Sequence, residues 1–501
     1  MSETAYTPPK NPVIKTIFSA DPEAKVWESE PDKLYLYPSR DRYPSAGCDH
    51  MDQYHVFSTT NMIDFVDEGE ILRRADLHDL WAPPGEIHPE TEMEKTFMWA
   101  PDVAYRNGYY YYYWPTPRHA CNRPEGSPLD TPSWNNTWET GVIRSKHPHK
   151  DFEQIPVEDA YPDFKGYIEG IGYAGIDAAV RVYEDQAYIY LGGGGQFYQG
   201  KLKSNMVEMD GPLIKMTENH ANKPVGGISY ALPDYHEGPS MFCRKNDAGE
   251  LIYYLVHPGY EHANHKEGEP YGGDSFRYSM GSTPLGNPLA EPITEIADEG
   301  LPHERTQIRE HVWDYKGAFF APTGCDTSHG SVVEFKNKYY FVYHTADLSG
   351  HGTQRSVCIE EFNFNPDGSI IPFAKSNDGV RQNGPDYVRP KGTIYTVPTD
   401  YQAGDDVTFE NVDGGNGVRA MIVFSYATPD DLPKMELLVN GVSYSYLNFV
   451  KTGGHHFFAE AAFTPKALNS GATNTIKLQR SHADTQGTIT LKSVEVVLFD
   501  E

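Results

Sequence analysis

Val103-Ala104-Tyr105, Arg106-Asn107-Gly108 and Tyr109-Tyr110-Tyr111-Tyr112-Tyr113-Trp114 read, in succession, as strand, tight turn and strand. Aromatic and β-branched residues favour strands, and Asn-Gly between two such runs is a strong hairpin signal. The same unit recurs four more times. Its aromatic strands are Leu34–Tyr37, Ala187–Leu191, Leu251–Val256 and Tyr339–Tyr343, each after a polar turn such as Pro31-Asp32-Lys33 or Lys336-Asn337-Lys338. A short strand precedes each turn: Ala24–Trp27, Ala178–Tyr183, Ser240–Cys243 and Ser331–Phe335. Each unit is long enough for about four strands. Radial repetition of such sheets is a β-propeller, so five units predict five blades.

The tail reads differently. After Asn383-Gly384-Pro385, apolar and polar residues alternate in Arg419–Phe424 and Lys434–Val439, and Asn440-Gly441 marks another hairpin. Further strands are expected over His456–Phe463, Thr475–Leu478 and Thr488–Phe499. The expected organisation is all-β: a propeller over residues 1–384, then a β-sandwich over residues 385–501.

Composition bounds the function. With 42 basic and 71 acidic residues, the chain carries a net charge of −29, which repels phosphate backbones and argues against a nucleic-acid partner. No run approaches the ~18 apolar residues of a membrane span. Met1–Lys10 is polar and lacks the apolar core of a secretory signal. Five scattered cysteines, Cys121 among them, form no CxxC pair and fit reduced thiols. The expected location is therefore cytoplasmic, or secreted where a signal has been removed. Asn135-Asn136-Thr137 is an isolated glycosylation sequon. Zinc-protease, nucleophile-elbow and phosphate-loop motifs are absent, and Gly192–Gly195 reads as a loop after a strand.

The lead-in to each hairpin carries a chemically distinctive residue. These are Asp21 before Pro22, Trp99 and Asp102 around Ala100-Pro101, Asp177 after Ile176, Glu237 before Gly238-Pro239, and His329 between Ser328 and Gly330. Equivalent points of different blades converge at a propeller's axis, so these residues are expected to share one pocket. Hydrolysis of a glycoside needs two carboxyl groups flanking the scissile bond. Asp21, Asp177 and Glu237 offer three, from three blades.

In this order the motifs Asp21-Pro22, Trp99-Ala100-Pro101-Asp102, Ile176-Asp177, Glu237-Gly238-Pro239 and Ser328-His329-Gly330-Ser331-Val332 resemble glycoside hydrolase family 43, over roughly residues 11–375. Gln354-Arg355-Ser356-Val357 and Asn365–Ile370 are similar to that family's closing blade. The resemblance implies that Asp21 is the general base, Glu237 the general acid, and Asp177 the group that raises the acid's pKa and orients it. It implies inversion, a sugar subsite shaped by Trp99 and Ile176, and a sugar contact from Arg355. It also implies a calcium ion near the axis, held by His329 through water, and no organic cofactor. The family usually has Asp-Pro at its central acid, whereas Asp177 is followed by Ala178-Ala179.

The implied partner is an oligosaccharide or polysaccharide, and the sequence leaves the oligomeric state open. The expected activity is that of an exo-acting α-L-arabinofuranosidase or β-xylosidase. An exo-galactosidase, an arabinanase, or a propeller that binds sugar without turnover are the alternatives. Pro115–Asn136 and Gly259–Tyr278 are expected rim loops. The C-terminal domain loosely resembles a family 6 carbohydrate-binding module. Tyr444–Tyr446 and His455–Phe458 are its candidate sugar-stacking stretches, with structural support of the propeller the alternative role.

Overall fold

The turns decide where each sheet folds back. Both central residues have positive φ in Asn107-Gly108, Glu184-Asp185 and Lys336-Asn337, the mirror-image turns whose twist suits antiparallel strands. In this computed structural model the hairpins anchor five separate antiparallel sheets. The structure describes residues 4–44, 47–76, 96–117, 138–168, 171, 175–216, 232, 235–246, 248–259, 274–296, 306–321, 323–325, 327–480 and 487–499. Cys121, the sequon and most of both expected rim loops lie outside these residues.

Blade one runs Ala20–Trp27, Glu30–Ser39, Gln53–Thr59 and Val66–Arg73, in chain order across the sheet. Blade two has Asp102–Arg106, Tyr109–Pro117 and Trp138–Ser145, and blade three begins Ala179–Tyr183 and Gln186–Leu191. Blade four begins Ser240–Lys245 and Leu251–Pro258, and a separate hairpin, Asn287–Ile296 with Thr306–Val312, interrupts it before its last strand. Blade five has Gly330–Phe335, Lys338–Thr345 and Ser356–Phe362. The first strands of all five blades line one central cavity, so the architecture is a five-bladed propeller.

The ring closes at its open edge. Residues 11–19 run beside the last strand of blade five: Val13 N–H donates to Val357 O (2.8 Å) and Ser19 N–H to Arg355 O (2.8 Å). Asn11 exchanges side-chain hydrogen bonds with both backbone groups of Ile359. An edge that would otherwise present unpaired backbone is thereby covered.

Charge ties the blades together at the axis. Lys25 contacts Asp102 (2.7 Å) and Glu23 (3.2 Å), and Arg181 contacts Glu23 (2.8 Å) and Asp102 (2.6 Å). Arg181 also donates to Met241 O of blade four (2.6 Å), and Ala24 N–H donates to Ser331 Oγ of blade five (3.0 Å). Asp102, one of the lead-in residues singled out in the sequence, therefore belongs to this hub.

The C-terminal domain is a β-sandwich of two four-stranded antiparallel sheets. One orders Thr393–Thr396, Thr490–Leu498, Ala420–Ala427 and Ala459–Phe463, the other Val407–Asp413, Ala472–Arg480, Lys434–Val439 and Val442–Asn448. Asn440-Gly441 turns with both φ values positive. Ile422, Phe424, Leu437, Leu447, Phe463, Ile476 and Val494 fill its core, in one apolar cluster with Leu36, Phe57 and Met62 of blade one.

Of the candidate sugar-stacking residues, Tyr444 lies under the Arg73 guanidinium (4.8 Å) and Tyr446 against Tyr43 (5.7 Å). Both rings face the propeller. Phe458 stays 45% exposed.

The hub gives a stability prediction. Asp102→Ala leaves two largely buried cations, with side chains 11% and 12% exposed, facing Glu23 alone, and is expected to destabilise the fold by about 3–5 kcal/mol in urea denaturation. A loss below about 1 kcal/mol, the level of an exposed ion pair, would contradict the hub's role.

Candidate active site

Ahead of the hub, the leading residues of all five blades line a single pocket. Blade one supplies Asp21, blade two is preceded by Trp99 and Ala100, blade three by Asp177, blade four by Glu237, and blade five by Thr327, Ser328 and His329. Cys48 and Arg355 complete the lining of about 360 Å³, part of it open to solvent. The three carboxylates expected to meet do meet.

Local backbone geometry aims two of them. Asp21 (φ 47°) and Asp177 (φ 53°) both adopt the left-handed conformation, which Asp tolerates better than most residues. Such strain persists where surrounding contacts over-determine it. Asp21 is held at several atoms. Its N–H donates to His344 Nδ1 (2.8 Å), Ser39 Oγ donates to its Oδ2 (2.6 Å), and Arg355 Nη1 donates to its Oδ1 (3.3 Å). Burial alone would raise its pKa. Arg355, foremost among its polar neighbours, outweighs burial and holds the carboxyl below its usual range. Asp21 is thus kept ionised.

Asp177 is driven the other way. Burial, then the neighbouring Glu237 and Asp21 carboxylates, raise its pKa well above the ordinary value, with Gly238 N–H and Arg355 opposing. The Gly238 N–H that donates to Asp177 follows Glu237 directly, so the pair is tied through backbone. Gly238 itself has φ 55°, and a Cβ there would stand 2.4 Å from His329 Nδ1. The Glu-Gly-Pro and Ser-His-Gly motifs are therefore two halves of one packing contact. On Glu237's other side, His236 Nε2 lies 3.9 Å from Glu237 Oε2, and His236 Nδ1 bonds the fully buried Asp274 (2.5 Å).

Trp99 forms an aromatic wall. Its ring packs on Trp138 (4.6 Å) and Phe97 (5.4 Å), its Nε1 donates to Cys48 O (3.0 Å), and its carbonyl accepts from Tyr54 OH (2.6 Å). Ile176 packs behind this wall and beside Gly193.

The calcium ion implied by the resemblance would be held through water by His329, which lines the pocket. That ion takes six to eight oxygens. Among the described residues no three His, Cys, Asp or Glu side chains are grouped to hold a metal, and the His329 ring is packed against Gly238.

Arg355 reaches the pocket, but its guanidinium is engaged by protein. Nε and Nη2 grip Asp41 as a fork (2.9 and 2.8 Å), Nη1 bonds Asp21 and Thr327, and its backbone N–H also donates to Asp41 (2.7 Å). Asp41 and His344 escaped the sequence reading. Both lie at or just past the far end of a second strand, in blades one and five. Those ends return to the pocket beside the first-strand lead-ins, so the same repeat logic applied to the second strands would have found them.

The model for glycosyl hydrolases family 43 matches residues 9–309. Xylosidase/arabinosidase 43A of Humicola insolens is 27% identical over 383 residues, spanning 72% of this chain and 98% of that protein. A xylosidase/arabinosidase of Bacteroides ovatus is 26% identical over 371 residues, spanning 71% and 94%. The crystal structure of the GH43_1 enzyme from Xanthomonas citri complexed with xylose covers 75% of this chain and 96% of its own, at 22% identity and TM-score 0.50, a likeness of fold.

The hydrogen bonds at His344 assign its tautomer. Nδ1 accepts from Asp21 N–H, so Nε2 carries the proton donated to Thr327 O (2.8 Å). Burial and then the Arg355 charge push its pKa down to about 3. Nitrogen-15 NMR of the histidine-labelled protein is expected to show this neutral tautomer unchanged from about pH 5 to 8. A midpoint near 6.5, the free-histidine value, would contradict the assignment.

Proposed function

The chain belongs to glycosyl hydrolases family 43, and we propose that it is an exo-acting, inverting glycosidase that removes terminal arabinofuranosyl or xylosyl groups from arabinoxylan or arabinan oligosaccharides. One observation carries this reading: carboxyl groups from three blades line a single pocket, with Asp21 held ionised and Asp177 held toward its protonated form. Environments that drive neighbouring carboxyls apart suit an ionised base facing a proton-retaining Asp177, which lies beside the Glu237 carboxyl assigned as acid.

In this reading the ionised Asp21 takes a proton from water as the water oxygen attacks the anomeric carbon. Glu237 gives its proton to the departing glycosidic oxygen as that bond breaks. Attack from the face opposite the leaving group inverts the anomeric centre. Asp177, joined to the acid through Gly238 N–H, orients Glu237. Asp21 is pinned by Ser39, Arg355 and its own amide, so little reorganisation is needed when the water arrives. Trp99 supplies a flat face for the terminal sugar. The choice of sugar follows the names of the relatives, xylosidase/arabinosidase and beta-xylosidase.

Glu237→Gln is expected to lower kcat by about 10²–10⁴-fold on substrates with poor leaving groups, and less on aryl glycosides with acidic ones. Steady-state rates over a graded aryl series check this, and full activity would sink the acid assignment. A panel of aryl arabinofuranosides, xylosides and galactosides identifies the sugar, and binding without turnover on all of them would favour a lectin-like propeller. Proton NMR of the first product should show α-xylose from a β-xyloside. The β anomer appearing first would refute inversion.

A further inference from the structure

The sandwich and the pocket are joined by two consecutive residues. Arg40 and Asp41 follow the second strand of blade one, and both are buried. Arg40 points to the sandwich: Nη2 donates to Ser445 Oγ (2.9 Å) and Nη1 to Tyr444 O (3.4 Å), while Gln53, itself donating to Tyr444 O (3.3 Å), accepts from Arg40. Asp41 points the opposite way and takes the Arg355 fork together with the Arg355 backbone N–H. Arg355 in turn faces Asp21. A line of polar contacts, bridged by the Arg40–Asp41 peptide bond, therefore runs from the strand Val442–Asn448 to the carboxylate assigned as base.

We propose that Arg40 and Asp41 form a strut through which the C-terminal sandwich sets the position of Arg355, and through it the Asp21 carboxylate. This rests on the reading of Asp21 as general base. In it Arg40, Asp41 and Arg355 are positioning residues, and the sandwich is part of the catalytic apparatus without touching substrate.

The geometry makes the coupling directional. Arg355 has little freedom, because Asp41 fixes two of its nitrogens and Thr327 shares a third. Its placement over Asp21 is therefore inherited from Asp41. Asp41 is joined to Arg40 by a single peptide bond, and the Arg40 side chain is held at the interface by Ser445 and Tyr444. Elsewhere the interface uses contacts that lead nowhere near the pocket, such as Thr464, whose hydroxyl donates to Asp67 O (2.7 Å). That gives a control of the same kind.

Asp21's charge is set by what surrounds it. Arg355 is the foremost group favouring its ionised form, and His344, His329 and Ser39 also face it. Asp41 and Asp177 are the neighbouring acids that feel its charge, as do Tyr54 and Cys325. Moving Arg355 away removes the largest favourable influence. The base then ionises at higher pH, so the acidic limb of kcat/KM moves up, because activity is lost as pH falls through the pKa of a group that must be ionised.

The test uses the full-length enzyme. Arg40→Gln is expected to lower kcat about tenfold or more, the scale on which small misplacements act, to change KM little, and to move the acidic limb upward. Thr464→Val is expected to lower the melting temperature and leave that limb in place. If Arg40→Gln does not fold, Ser445→Ala carries the same test with a smaller displacement. Asp21→Asn, measured alongside, separates the two ideas. An inactive Asp21→Asn with a wild-type rate and limb in folded Arg40→Gln overturns the strut and leaves the base standing. Turnover retained in Asp21→Asn overturns both.

Discussion

Everything the propeller positions depends on how its five first strands meet. Each blade is a local sheet, but the pocket exists only if the blades keep their angular places around the axis. Glu23, Lys25, Asp102 and Arg181 supply that constraint, with two carboxylates and two cations from three blades in mutual contact. Their charges balance, and each partner's desolvation is met by opposite charge at hydrogen-bonding distance. Arg181 reaching Met241 O and Ser331 bonding Ala24 carry the ring into blades four and five. Once the hub is set, the residues just ahead of the first strands have nowhere to go but the same small space.

The pocket end of the axis uses buried charge for another purpose. Here it is unbalanced locally, and the imbalance sorts the carboxyls. Asp21 lies beside the Arg355 cation, while Asp177 lies beside two other acids with only a backbone amide and a more remote guanidinium to help it. The same burial thus yields an ionised group and a proton-retaining group within one cavity. Left-handed backbone at both positions shows how firmly the surroundings hold them.

The sandwich is continuous with this arrangement. Its apolar core merges with blade one, residues 11–19 seal blade five, and Tyr6 N–H bonds Thr452 O (2.9 Å). Two of its aromatic residues that resemble sugar platforms in the sequence are spent on packing against Arg73 and Tyr43. A rigid joint of this kind lets a second domain influence chemistry it does not contact.

The sequence by itself determined the elements whose causes are local. Aromatic runs, polar turns and alternation predicted the hairpins, the count of five blades and most of the sandwich strands, though not Thr393–Thr396 or Val407–Asp413, because turn chemistry and side-chain period act over a few residues. Repetition then marked Asp21, Asp177, Glu237 and His329 as lead-ins that share a pocket. Only the tertiary structure decided what each buried charge pairs with. Asp102 read as a site residue and went to the hub. Arg355 read as a sugar contact and is held by Asp41, more than three hundred positions away in the chain. His344 and Asp41 stayed silent, and the role of Tyr444 was set by Arg73 across the domain boundary. A charge's partner depends on which distant strand arrives beside it, and no short-range pattern encodes that arrival.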